Sequence, residues 1–121
     1  MKESKKNLPP LLKEGFDLYL SKGTIAAVAC WARGSAQNDS PILEEKIKAL
    51  QDVEDLCGDF LGYEVKDTQI ITSMAHLFFI VLKYEQINVN SRFLAYKQNK
   101  GWVLANFLFD VSLETSKAFL V

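Results

Sequence analysis

A single histidine, His76, and two cysteines, Cys30 and Cys57, are all that 121 residues provide of those two types. One histidine excludes a His-rich metal site, and cysteines this far apart match no zinc or redox spacing. A domain of this length buries a core without staples, so the pair reads as buried free thiols rather than a bridge. Neither sign of charge is in excess: 14 Lys and Arg against 15 Asp and Glu leave a formal charge of -1, which gives no general pull toward phosphate backbones or anionic lipid. The basic cluster Lys2, Lys5 and Lys6 reads as a solvated tail. No run approaches the roughly 18 apolar residues of a membrane span. The start, MKESKKNLPP, has no apolar segment to serve as a secretory leader. P-loop, dinucleotide glycine pattern, HExxH and an acidic cation loop are all missing. The expectation is a cytoplasmic protein without metal or cofactor, binding neither nucleic acid nor membrane. A periplasmic or exported protein is the alternative if a leader has been trimmed away.

What is present is a rich apolar content, 49% of residues with 12% aromatic, enough for one folded domain over residues 1–121. Residues 1–7 and 112–121 read as flexible or loosely packed tails. Pro9 and Pro10 open a first helix with Leu12, Phe16 and Tyr19 at helical spacing, ended by Gly23. Thr24 is the expected cap of a second, with stripe Ile25, Val28, Ala29 and Ala32, Trp31 at its flank and Gly34 as stop. Ser40 and Pro41 open a third, whose apolar positions are Leu43, Ile47, Leu50, Val53, Cys57 and Phe60, with Gly58 and Gly62 closing it. Its charged side, Glu44 and Lys48 one turn apart, reads as solvated. From there the period becomes extended. YEVKDTQII, MAHLFFIVLKYEQ, SRFLAYKQ and GWVLANFLFDV are rich in β-branched and aromatic residues and separated by turn-formers. The short connections make the last three sequential antiparallel neighbours.

The fold class is therefore α+β, with three N-terminal helices packed on a curved four-stranded antiparallel sheet. Two strands break the alternation expected of a sheet with one wet face. In the second, Leu77, Phe79 and Val81 oppose Phe78, Ile80 and Leu82; the fourth is apolar at nearly every position. If helices cover one face, a second copy is expected over the other.

Helices first, a curved antiparallel sheet next and the final hairpin RFLAYKQNKGWVLANFLFD together resemble the nuclear transport factor 2-like superfamily. AVACWARGS and FLAYKQNKGWVLANFLFD are similar to small bacterial members of uncharacterised role. The resemblance spans about Leu8 to Val111 and implies a cone enclosing a pocket, with dimers packed through the outer sheet face.

Strand register divides the residues. With Phe93 set opposite Asn106, the pocket face carries His76, Tyr84, Phe93, Trp102, Asn106 and Asp110, a mostly apolar lining with a few polar groups. The dimer face carries Phe79, Val81, Arg92, Leu94, Tyr96, Phe107 and Phe109. A slip of one residue in the middle hairpin would reshuffle half of both lists. The leading function is a non-catalytic domain, homodimeric through its sheet, that takes a small apolar ligand or a peptide. Its rival is a lyase or isomerase acting on an apolar carbonyl compound, with Asp110 or His76 as base and Tyr84 as hydrogen-bond donor. A third reading has the pocket collapsed and the dimer itself as the function.

Overall fold

The computed structural model describes residues 8–35, 38–99 and 101–110, so residues 1–7 and 112–121, read as tails, lie outside the described residues. Proline needs no partner for a missing N–H in the first helical turn, and Pro9 and Pro10 accordingly start α1 (Pro10–Lys22), which buries Leu12, Gly15, Phe16 and Tyr19. Helix α2 (Thr24–Trp31) buries Ala27, Val28, Cys30 and Trp31. Its stripe is therefore turned from the expected one: Ile25 is 62% exposed, and Trp31, expected at the flank, is fully enclosed. The cause is Gly15. A Cβ there would stand 1.9 Å from the indole nitrogen of Trp31, so the missing side chain is the space the ring occupies, and the indole N–H donates to the Leu12 carbonyl at 3.1 Å.

Thr24 is not a cap. Gly23 holds that position, and the Thr24 hydroxyl donates to a Glu54 carboxylate oxygen at 2.8 Å, tying α2 to α3 (Ser40–Cys57). Helix α3 buries Leu50, Val53 and Cys57 and stops at Gly58, whose φ of 92° suits glycine alone. The expected helical residue Phe60 instead opens the sheet, its ring stacked on Tyr19 at 4.0 Å. Cys30 and Cys57 are free and buried.

Strands β1 (Phe60–Thr72), β2 (Ala75–Tyr84), β3 (Asn88–Gln98) and β4 (Gly101–Phe109) form one antiparallel sheet in chain order. The helices cover one face. Phe78, Ile80, Leu82 and Tyr84 of β2 and Val89, Phe93 and Ala95 of β3 enter a common core with α1, α2 and α3. Its centre is aromatic: Trp31 meets Phe16 and Phe93 edge-on at 5.0 Å each and Phe107 at 5.9 Å.

Strand β4 corrects the expected faces. Ala95 pairs with Leu104 as foreseen, but Leu94 pairs with Asn106, so Ala105 is an extra residue with no partner across the ladder. Phe93 then lies opposite Phe107, not Asn106. This bulge changes the alternation at mid-strand. Leu104, Phe107 and Phe109 are all buried, while Asn106 and Leu108 point out. Phe107 and Phe109, assigned to the dimer face, belong to the helix-side core. Asn106 and Asp110, assigned to the pocket, are exposed on the other side.

Candidate interaction surface

The space between the helices and the sheet is occupied by the chain's own side chains. Phe93, expected to line a pocket, has no exposed surface, and Tyr84 has 4%. The Tyr84 hydroxyl shares a 2.9 Å hydrogen bond with that of Tyr19. Burial drives both phenols well above their ordinary range; the Glu54 carboxylate adds to this at each, while the bond from Tyr19 partly offsets it at Tyr84. A phenol so placed holds strand to helix, with no approach for a substrate oxygen. His76 is half-buried against Trp102, ring centres 4.6 Å apart.

Asn106 is committed to the bulge. Its side-chain oxygen accepts from the Phe107 N–H at 2.9 Å and from Lys46 Nζ at 3.3 Å. Lys46 also donates to the Phe107 carbonyl and lies over that ring, 5.3 Å from its centre, and burial lowers its pKa against a smaller opposing effect of Glu45. The lysine thus closes part of the open edge of β4. Asp110 follows the strand, its N–H bonded to the Asn90 carbonyl at 2.9 Å. The six residues assigned to a pocket are not brought together: two are core, two are half-buried at the end of the sheet, and two lie on the outer face. Among the described residues no three metal-ligating side chains converge.

The outer face carries the concave surface. A groove of 1030 Å³ has Phe79 and Val81 of β2, Asn90 and Arg92 of β3 and Leu108 of β4 along it, with Lys66, Asp67 and Asp110 also lining it. Register places Asp67, Phe79, Arg92 and Leu108 in one row across four strands. A smaller recess of 160 Å³ adds Leu77 and Leu94 and shares Arg92 and Leu108. Register places Phe79, Val81, Arg92, Leu94 and Tyr96 on this outer face. Lys66 and Asp67 were not singled out from sequence. The polar run Glu64, Lys66, Asp67 and Gln69 marks β1 as an edge strand and was the available signal for its part in the rim.

No family model matches the chain, and no curated protein does either. Among solved structures it is similar to a domain of unknown function with a cystatin-like fold from Nostoc punctiforme, with a TM-score of 0.58 over 98% of this chain and 84% of that one. The fold is cystatin-like. At 12% identity the likeness is one of architecture: helices packed on one face of a curved antiparallel sheet.

Proposed function

We propose that this cystatin-like chain is a non-catalytic binding domain of the nuclear transport factor 2-like kind that pairs with a second copy through its outer sheet face. The observation that carries this reading is the division of the apolar residues. The helix side is filled by its own rings, whereas Leu77, Phe79, Val81 and Leu94 stand half-buried on a face that none of the three helices covers, beside the more exposed Leu108 and Tyr96. Four strands spaced about 4.8 Å apart and about ten residues long span roughly 600 Å² of flat area, close to the ~800 Å² per partner of an ordinary stable interface. The lining has cations Lys66 and Arg92 and anions Asp67 and Asp110, a balanced set that suits self-association better than attraction of a strongly charged partner.

Against a lyase or isomerase stands the separation of its residues. Tyr84 faces the helices and Asp110 the outer groove, so the two cannot meet on one substrate. Sedimentation velocity from low to high micromolar chain tests the dimer. The expected result is a dimer, converted by Phe79→Lys to a monomer with unchanged far-ultraviolet circular dichroism. A wild-type chain that stays monomeric at the highest concentration removes the proposal.

A further inference from the structure

The sheet is open: its order runs β1-β2-β3-β4, and among the described residues no strand lies beyond β1 or β4. An edge strand offers unpaired backbone N–H and C=O groups to any other edge it meets. Mid-strand, each edge carries a bulge, since Lys66 in β1 and Ala105 in β4 have no partner across the ladder. In each, the next residue turns a side-chain oxygen onto the N–H that follows: Asp67 accepts from Thr68 and Asn106 from Phe107, both at 2.9 Å. The same three-residue step is used twice. Thr68 pairs with Phe78, Phe78 with Phe93 and Phe93 with Phe107, so the two capped N–H groups end one row across the four strands.

The edges differ in what else protects them. Charged side chains discourage strand pairing, and β1 has Glu64, Lys66 and Asp67 of its own. Strand β4, GWVLANFLF, has no charge in nine residues. An uncharged segment rich in aromatic and aliphatic side chains, without proline, is the composition that pairs with copies of itself. Its charge comes from α3 instead. Lys46 Nζ donates to the Phe107 carbonyl and, at 3.3 Å, to the Asn106 side-chain oxygen. Both backbone groups of Phe107 are thus engaged by side chains, and a cation stands at the middle of the edge. A strand arriving there would take the Phe107 carbonyl from Lys46, a half-buried ammonium lying over the Phe107 ring, and leave it short of an acceptor.

We infer that Lys46 and Asn106 guard the β4 edge against antiparallel pairing with the β4 of a second copy. Two-fold pairing about Phe107 would set that residue opposite its own copy, one uncharged apolar strand against another. The guard stands apart from the face-to-face dimer. It confines self-association to the sheet face, and its removal adds a contact at the edge.

The test uses the Phe79→Lys chain, whose outer face carries a charge against pairing, so that edge pairing is read alone whether or not the wild type dimerises. Sedimentation velocity gives the size, and amide hydrogen exchange of β4 gives the place of contact. Adding Lys46→Met, which keeps the stem over the ring and removes the amine, together with Asn106→Val should tighten self-association at least tenfold over the Phe79→Lys parent, with slower exchange in β4 and not in β1. Adding Lys46→Arg, which retains a donor, should leave the parent unchanged. A doubly changed chain no more associated than its parent, or one that associates without slower exchange in β4, overturns the inference. So does a Lys46→Arg chain that associates as strongly as the Lys46→Met one. If the two changes together unfold the chain, Lys46→Met alone is read against the same outcomes.

Discussion

Strands β2 and β4 carry the same irregularity in sequence, apolar residues at consecutive positions, and reach it by different routes. In β2 the ladder to β3 runs without a break from Ala75 to Lys83, so Phe78, Ile80 and Leu82 enter the core while Leu77, Phe79 and Val81 necessarily point away from it. That strand has two apolar faces. In β4 the unpaired Ala105 changes the alternation, and Leu104, Phe107 and Phe109 share the helix side with only Leu108 as a large apolar residue outside past the bulge. Loss of alternation therefore has two physical meanings: a second face needing cover, or a change of phase. Only β2 offers the first.

The largest test of this difference is a deletion in β2. Removing Val81 shifts the pairing by one residue, so either Phe78 and Ile80 or Leu82 and Tyr84 must turn outward. No arrangement keeps all four buried, and the expected outcome is an unfolded chain, read by circular dichroism and the loss of a cooperative urea transition.

Truncation of single rings comes next. Phe107 is 1% exposed and touches Trp31, Phe93 and Phe109, so Phe107→Ala should cost about 3–5 kcal/mol in urea unfolding. Phe79, half-buried on the outer face, should cost the monomer about 1 kcal/mol when changed to alanine, with its larger effect on dimer affinity. Equal losses of monomer stability at the two sites would mean that β4 has no inner phase past the bulge.

A smaller effect tests the inner face of β2 where it ends. Tyr84→Phe leaves the ring in place and the Tyr19 hydroxyl without its partner, a loss of about 1–2 kcal/mol. The substitution also changes the alkaline response. Tyr19 and Tyr84 are both raised above their ordinary value of 10.0 in the fold, so the unfolded chain releases these protons first. Their contribution is complete below pH 10 and declines above it. Cys30 and Cys57, raised from 9.0, begin the decline earlier, and Tyr63 adds to it. Stability against pH should fall above pH 10 with a slope shallower in Tyr84→Phe by about 1.4 kcal/mol per unit. An unchanged slope would place that phenol in water.

The helices, strands, chain-order sheet and layer arrangement were legible because apolar spacing changes from helical to extended after α3 and the connections are too short for crossovers. The stripe of α2 was placed at the wrong angle because a helix pattern does not reveal how closely a neighbour approaches, and here the neighbour's missing Cβ at Gly15 makes the room that Trp31 fills. Phe60 continued the spacing of α3, but Gly58 had already ended the helix. The supposed pocket failed for a related reason. Its assignment extended one phase along the whole of β4, placing Asn106 and Asp110 beside Tyr84 when the sheet lies between them. The bulged residue is alanine, without the glycine or proline that would have marked the break.

The smallest expected effect is the most telling. Without Ala105, Leu104 still pairs with Ala95 and Asn106 with Leu94, now as consecutive residues of an unbroken ladder. Leu104 remains inside, Asn106 out, Phe107 in, Leu108 out and Phe109 in. Deleting Ala105 should thus keep the fold at a cost of about 1 kcal/mol, the ordinary range of a single change, mostly through loss of the local bend that lets Lys46 reach the Phe107 carbonyl. One deleted residue in β2 abolishes the fold and one in β4 does not, although both strands look equally apolar. If the Ala105 deletion unfolds the chain as completely as the Val81 deletion, Ala105 is part of the alternation rather than an insertion into it, and β4 too must present an apolar face on both sides.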